Sequence, residues 1–160
     1  MKNSDEPPDS DDPFNLGRFT SAQEAVYDRA LAELRRGQKQ SHWMWYIFPQ
    51  IDGLGHSPTA MRYAIKSIEE AREYLNHPVL GARLLECAET VLDIEGRSVS
   101  EILGFPDDVK LRSSMTLFES ISDTDSVFAL VLHKFFNGNQ DDKTLQILKK
   151  MEGRRNERGV

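Results

Sequence analysis

Pro106-Asp107-Asp108-Val109-Lys110-Leu111-Arg112-Ser113-Ser114-Met115-Thr116-Leu117-Phe118 reads as a helix whose beginning is marked in the sequence. Proline suits a first helical turn because that turn needs no N–H from it, and acids just after it complement the helix dipole. Leu111, Met115 and Phe118 then return at helical spacing.

Working outward, the same kind of signal repeats. On the C-terminal side, Ser122 or Asp123 caps a helix that presents Val127, Phe128, Val131, Leu132 and Phe135 before Gly138, and Asp141 or Asp142 starts a last one with Leu145, Ile147 and Leu148. On the N-terminal side, Ser98 with Glu101 opens a single turn ended by Gly104. Pro78 opens a helix carrying Val79, Leu84, Ala88, Val91 and Leu92, and Ser67 with Glu70 opens a short one to Leu75. From Thr20 to Arg36, Tyr27, Leu31 and Leu34 share a face. Thr20 with Gln23, or Ser21 with Glu24, can form a capping box there, and Gly37 supplies the stop. The expected fold is all-α: one compact domain of six or seven helices, with no hairpin and no fixed-period repeat. Met61 to Lys66 suits helix or extended chain equally, so the reading admits one minor strand pair.

Lys39 to Pro58 differs from the rest. Ser41-His42-Trp43-Met44-Trp45-Tyr46-Ile47-Phe48-Pro49 has no polar face at either period and holds both tryptophans, so it is expected to be mostly buried. The following Gln50-Ile51-Asp52-Gly53-Leu54-Gly55-His56-Ser57-Pro58 demands a loop of defined shape. Residues 1–11, acidic and proline-rich, are expected to be a disordered tail, 12–152 the helical domain, and 153–160 a charged tail.

The chain has 160 residues, 39% hydrophobic and 29% charged, an ordinary balance for one soluble domain. Its apolar runs are far too short for a membrane span. A net charge of −6 has the wrong sign for nucleic-acid binding. The N-terminus lacks the basic and then apolar character of a secretory signal, and a single cysteine, Cys87, agrees with a reducing compartment; the expected location is the cytoplasm. Cys87 lies in an apolar helical pattern and reads as a buried structural thiol.

No standard catalytic motif is present. The four histidines, His42, His56, His77 and His133, have no zinc spacing, and neither a phosphate-binding loop nor a G-x-S-x-G occurs. No metal and no cofactor are expected. Two segments do combine polar groups with apolar neighbours. In the first, Lys39, His42, Gln50, Asp52 and His56 accompany Trp43 and Trp45, the composition of a small-molecule pocket. In the second, Asp107 and Asp108 with Lys110 one turn away could supply a general base and an ammonium, and Ser113, Ser114 and Thr116 could hold a polar ligand. The plainer reading makes the rings core and the acids dipole partners.

Several strings carry a resemblance. Asp12-Pro13-Phe14-Asn15-Leu16 with Arg18-Phe19, Ser41 to Gln50, Gly53-Leu54-Gly55, His77-Pro78-Val79-Leu80-Gly81 and Lys110 to Phe118 resemble a family of uncharacterised, usually bacterial proteins. That family is a domain of unknown function often mislabelled calpastatin, and the resemblance implies a compact all-helical fold without an established activity. A weaker resemblance, through His77-Pro78, Leu84-Leu85 and Gly104-Phe105-Pro106-Asp107-Asp108, is to helical N-glycosidases that process ADP-ribose. Ile102-Leu103 stand here where those enzymes carry a tryptophan before the glycine.

Together these readings give an expectation of function. An aromatic-lined pocket binds a ribonucleotide-like anionic ligand of ADP-ribose or NAD type, or cleaves its N-glycosidic bond. A tryptophan stacks the base, Lys39 or Lys110 faces phosphate, and Asp107 or Asp108 activates water. His42, Asp52 and Lys110 are expected to face one cavity. The alternative is a non-catalytic module that uses the same patch for a small ligand or a protein.

Overall fold

A computed structural model describes residues 11–158, with side chains through Arg154. The acidic tail expected over residues 1–11 lies, except for Asp11, outside the described residues.

Among the described residues the chain forms nine helices: α1 (Gly17–Arg35), α2 (Met44–Ile47), α3 (Pro58–Arg62), α4 (Ile68–Asn76), α5 (Leu80–Leu92), α6 (Val99–Leu103), α7 (Asp107–Glu119), α8 (Val127–Phe136) and α9 (Asp142–Arg158). The count exceeds the expected six or seven because α2 and α3 are single turns of four and five residues. A turn that short leaves no periodicity to read. No named strand forms among the described residues. The ambiguous segment after Met61 makes one parallel bridge, in which Asp52 N–H donates to the Ile65 carbonyl and Ile65 N–H to that of Gln50, both at 2.8 Å.

Several helix ends differ from the expected ones. Helix α1 begins three residues early because the Asp12 carboxylate accepts the N–H groups of Leu16 at 2.7 Å and Gly17 at 2.9 Å, so Thr20 and Ser21 lie inside the helix. Ser126, rather than Ser122 or Asp123, caps α8. Helix α9 continues through Gly153 to Arg158, where the sequence suggested a charged tail. The Ser98–Glu101 capping box forms as read. Ser67 caps α4, but Glu70 does not return the bond: its carboxylate turns to Arg18 and to the Lys66 N–H.

Helix α7 lies at the centre. Every residue from Ser113 to Phe118 is buried, although the segment includes three hydroxyls, because small side chains let α8, α6, α9 and α4 pack against different sides. An aromatic chain crosses the core: Phe19 meets Tyr74 edge-on at 5.0 Å, Tyr74 meets Phe118 at 5.6 Å, and Phe118 meets Phe128 at 5.7 Å. Such pairs add to simple area burial. Cys87 is buried, and burial pushes its thiol up to about 12, consistent with the structural reading.

Gly81 sets the approach of α5 to α4. A Cβ at that position would stand 2.0 Å from the Leu75 carbonyl oxygen, which is backbone and cannot move aside alone. Gly81→Ala is therefore expected to destabilise the protein by roughly 3 kcal/mol, at the severe end of overpacking. Chemical denaturation checks this, and a loss under 1 kcal/mol would show that the two helices separate easily.

Candidate functional site

The polar residues named from sequence separate into two groups. The first is structural. Trp43 is fully buried, and its indole Nε1–H donates to Glu33 Oε1 at 2.9 Å. Glu33, 2% exposed, also accepts from the N–H groups of Gln40 and Ser41 and from the Ser41 hydroxyl. One carboxylate thereby fixes the whole turn that leads into α2. Lys39 is folded back in the same region. Its ammonium lies 5.0 Å from the Trp43 ring centroid and donates to the Ser41 carbonyl at 2.6 Å, and it pairs with Asp107 at 2.9 Å.

Asp107 sits between two ammoniums, with Lys110 3.7 Å away on its other oxygen. Asp108 accepts from the Ser100 hydroxyl at 2.7 Å, tying α6 to α7. Ser114 is fully buried with its hydroxyl unpartnered. His42 is exposed, and Asp52 pairs at the surface with Lys66 at 3.5 Å. Trp43, Lys39, Asp107, Asp108, Ser114, His42 and Asp52 lie outside the open cavity beside Trp45, so the expectation that His42, Asp52 and Lys110 face one cavity holds for Lys110 alone.

The second group converges. Trp45, Gln50, His56, Lys110 and Ser113 all line one open cavity of about 450 Å³. The volume is in the range of a small-molecule site. The Lys110 ammonium lies 4.1 Å from the Trp45 ring centroid, a cation–π contact, and Asp107 holds it there from behind. Ser113 contributes from a buried position, its hydroxyl turned back to the Val109 carbonyl at 3.3 Å. Gly55 brings the 50–57 loop against α3: a Cβ there would lie 2.7 Å from that of Ala60, which is also part of the wall.

Sequence reading missed the other half of the cavity. Phe105, 82% exposed, and Val109, 39% exposed, supply open apolar surface, while Asp141 and Lys143 come from the start of α9. Phe105 had a readable signal. An aromatic between Gly104 and Pro106 cannot continue either helix and is held in the turn between them. Asp141 and Lys143 had none, because only the packing of α9 on α7 brings them near Lys110.

Among the described residues, the side chains of Gln50, His56 and Lys143 have no hydrogen-bond or ion-pair partner. The wall thus combines an open aromatic ring, a second ring under an ammonium, one unpaired ammonium and two uncommitted hydrogen-bonding groups. Among the same residues, no cluster of three or more His, Cys, Asp or Glu side chains could hold a metal ion. No helix there is long and apolar enough to cross a membrane.

Fold and cavity together define a single-domain helical protein with an open aromatic and cationic cavity between its central helix, the 50–57 loop and the start of its last helix. The chain belongs to the family described as protein of unknown function (DUF1810), which matches residues 13–148. It is similar to the conserved hypothetical protein Rv1873 from Mycobacterium tuberculosis, whose crystal structure was solved at 1.38 Å. The two are 51% identical over 86% of this chain and 99% of that one, with a TM-score of 0.85. No curated protein matches the sequence.

Proposed function

We propose that the cavity beside Trp45 binds an anionic small molecule with a planar aromatic part, of the ribonucleotide type. The observation that carries this reading is the meeting of Lys110 with Trp45 at 4.1 Å in a cavity that also holds Phe105 and Lys143. Phe105 offers an open ring face for a base, and Lys110 and Lys143 offer charge to a phosphate. Gln50 and His56 add hydrogen-bonding groups for orientation. Binding is the stronger form of the proposal over N-glycosidic cleavage. Asp107 and Asp108, the acids named for water activation, are engaged by lysines and by Ser100 instead of lining the cavity.

The two tryptophans make the test internal to the protein. Trp43 is sealed in the core, whereas Trp45 is half-buried at the cavity, so a bound nucleotide is expected to quench part of the emission and to lose that effect in Trp45→Phe. Lys110→Met is expected to weaken binding of ADP by about tenfold, the scale of one charged hydrogen bond, without changing the unfolding midpoint by more than a few degrees. Emission that neither AMP, ADP, ADP-ribose nor NAD alters, with no heat of binding by calorimetry, would overturn the proposal.

A further inference from the structure

A second cavity of about 520 Å³ adjoins the first, and Asp141 and Lys143 line both. Its wall is Arg112 from α7 and the segment from Gly138 to Leu145 that opens α9. The character of this space differs from the first. It holds no aromatic ring, and its charges are balanced, with Arg112 and Lys143 against Asp141 and Asp142. A free phosphate would meet both carboxylates there, so a second purely anionic site fits poorly. A group bearing several hydroxyls fits well, because each hydroxyl donates to one neighbour and accepts from another.

The hydrogen-bonding groups for such a part are available. Among the described residues, the side chains of Asn139, Asp142 and Lys143 are without partners. Arg112 is underused: its Nε has no acceptor, and its Nη2 stands 3.9 Å from Asp141, beyond hydrogen-bond length. Asp141 is already committed. Its carboxylate accepts from Thr144 N–H at 2.9 Å and Thr144 Oγ1 at 2.6 Å, and its own N–H donates to Thr116 Oγ1 at 2.9 Å. Asp141 therefore fixes the edge common to the two cavities, and Lys143 is the unpaired cation at that edge.

From this order of chemistry, aromatic, then cationic, then hydroxyl-binding, we infer that the second cavity receives a sugar-like portion of the same ligand. The ligand class is then a nucleoside diphosphate joined to a second sugar, with its diphosphate at Lys143. This rests on the nucleotide reading of the first cavity.

The experiment compares adenosine, ADP and ADP-ribose on the full chain by calorimetry and by Trp45 emission. ADP-ribose is expected to bind about tenfold more tightly than ADP, the worth of one or two added hydrogen bonds. Asn139→Ala combined with Asp142→Ala is expected to remove that advantage and leave ADP affinity unchanged, with circular dichroism confirming the fold. Equal affinity of ADP and ADP-ribose, or an equal loss for both in the double variant, overturns the inference while the first cavity stands. Absence of binding by every nucleotide overturns the nucleotide reading and this inference with it.

Discussion

Replacing Glu33 by alanine is expected to destabilise the protein by about 4 kcal/mol, the scale of several donors losing one charged acceptor together. Four donors converge on this carboxylate: the N–H groups of Gln40 and Ser41 at 2.8 and 3.0 Å, the Ser41 hydroxyl at 2.6 Å, and the Trp43 indole N–H at 2.9 Å. Alanine leaves all four without this acceptor, and the Trp43 indole N–H is fully buried, whereas Gln40 and Ser41 lie nearer the surface. For a domain of this length the loss corresponds to a fall of about 10 °C in the unfolding midpoint. Glutamine keeps one acceptor oxygen and is expected to cost about half as much. A midpoint within a few degrees of the parent for Glu33→Ala would show that the turn into α2 holds without it.

The same residue gives the protein a pH signature. Burial pushes the Glu33 carboxyl up, but the hydrogen bonds from Ser41, Gln40 and Trp43 together outweigh burial and hold it down at about 2. Because the folded value lies below the unfolded one, its contribution is fully present above the unfolded value, near 4.5, and is lost as pH falls toward about 2. Denaturation of the parent at a series of pH values should show stability declining across that window. Glu33→Gln should show a shallower decline. A parallel decline in the two proteins would assign the acid sensitivity to other carboxylates.

Arg18→Met is the second large effect, expected at roughly 3 to 5 kcal/mol, because it leaves a buried carboxylate unpaired. The guanidinium uses its whole fork. Nε donates to the Arg62 carbonyl at 2.8 Å, Nη1 to those of Phe14 and Asn15 at 2.8 Å, and Nη2 to the Ala64 carbonyl at 2.9 Å and to Glu70 Oε2 at 2.6 Å. The side chains of Arg18 and Glu70 are only 7% and 2% exposed. Lysine has no planar fork and cannot reach acceptors spread over three segments, so Arg18→Lys is expected to recover less than half of the loss. The double variant Arg18→Met with Glu70→Gln should be more stable than Arg18→Met alone, since it no longer buries a lone charge. Denaturant midpoints on Arg18→Met, Glu70→Gln and the double variant decide it, and a double variant that sums the two single losses would show that the carbonyl bonds, not the charge pair, dominate.

These two residues also explain how the cavity is held. Glu33 fixes the turn from which Lys39 reaches Asp107, and Asp107 in turn holds Lys110 over Trp45. Arg18 clamps the carbonyl of Arg62, the last residue of α3, and that of Ala64 just beyond it, and Ala60 of the same helix forms part of the wall. A structural variant at either position is therefore expected to loosen the wall as well as the fold, which is why Lys110, at the surface of α7, is the better residue for testing binding.

Much of the fold was legible in the chain itself. The helical character of α1, α4, α5, α7, α8 and α9 followed from apolar spacing, and the Ser98–Glu101 box and the Ser67 cap followed from local hydrogen-bonding rules, because those interactions span three or four residues. The short turn α2 was not legible, since its Met44 and Ile47 are buried and four residues show no period; α3 buries no residue and carries local signals, the Ser57 cap and Pro58 in its first turn, that the glycine-rich loop before it masked. Glu33 and Arg18 gave no signal either. Each is a charged residue in or near an amphipathic helix, where solvent is the ordinary destination, and only the loops arriving from residues 40–43 and 62–66 turn them inward.

The candidate site divides in the same way. Local sequence determined that Trp45, Gln50 and His56 lie in one segment, Lys39 to Pro58, that differs from the rest of the chain, and that Lys110 and Ser113 lie one turn apart on one helix. It could not determine that Trp43 is core while Trp45 faces the cavity, nor that Asp107 is consumed by two lysines. Neighbours on one helix are fixed by its pitch, but the meeting of Lys110 with Trp45, and of both with Phe105 and Lys143, depends on how α2, α7 and α9 pack. Burial of apolar surface drives that packing and has no direction along the chain, so only the tertiary structure could decide which polar groups share a cavity.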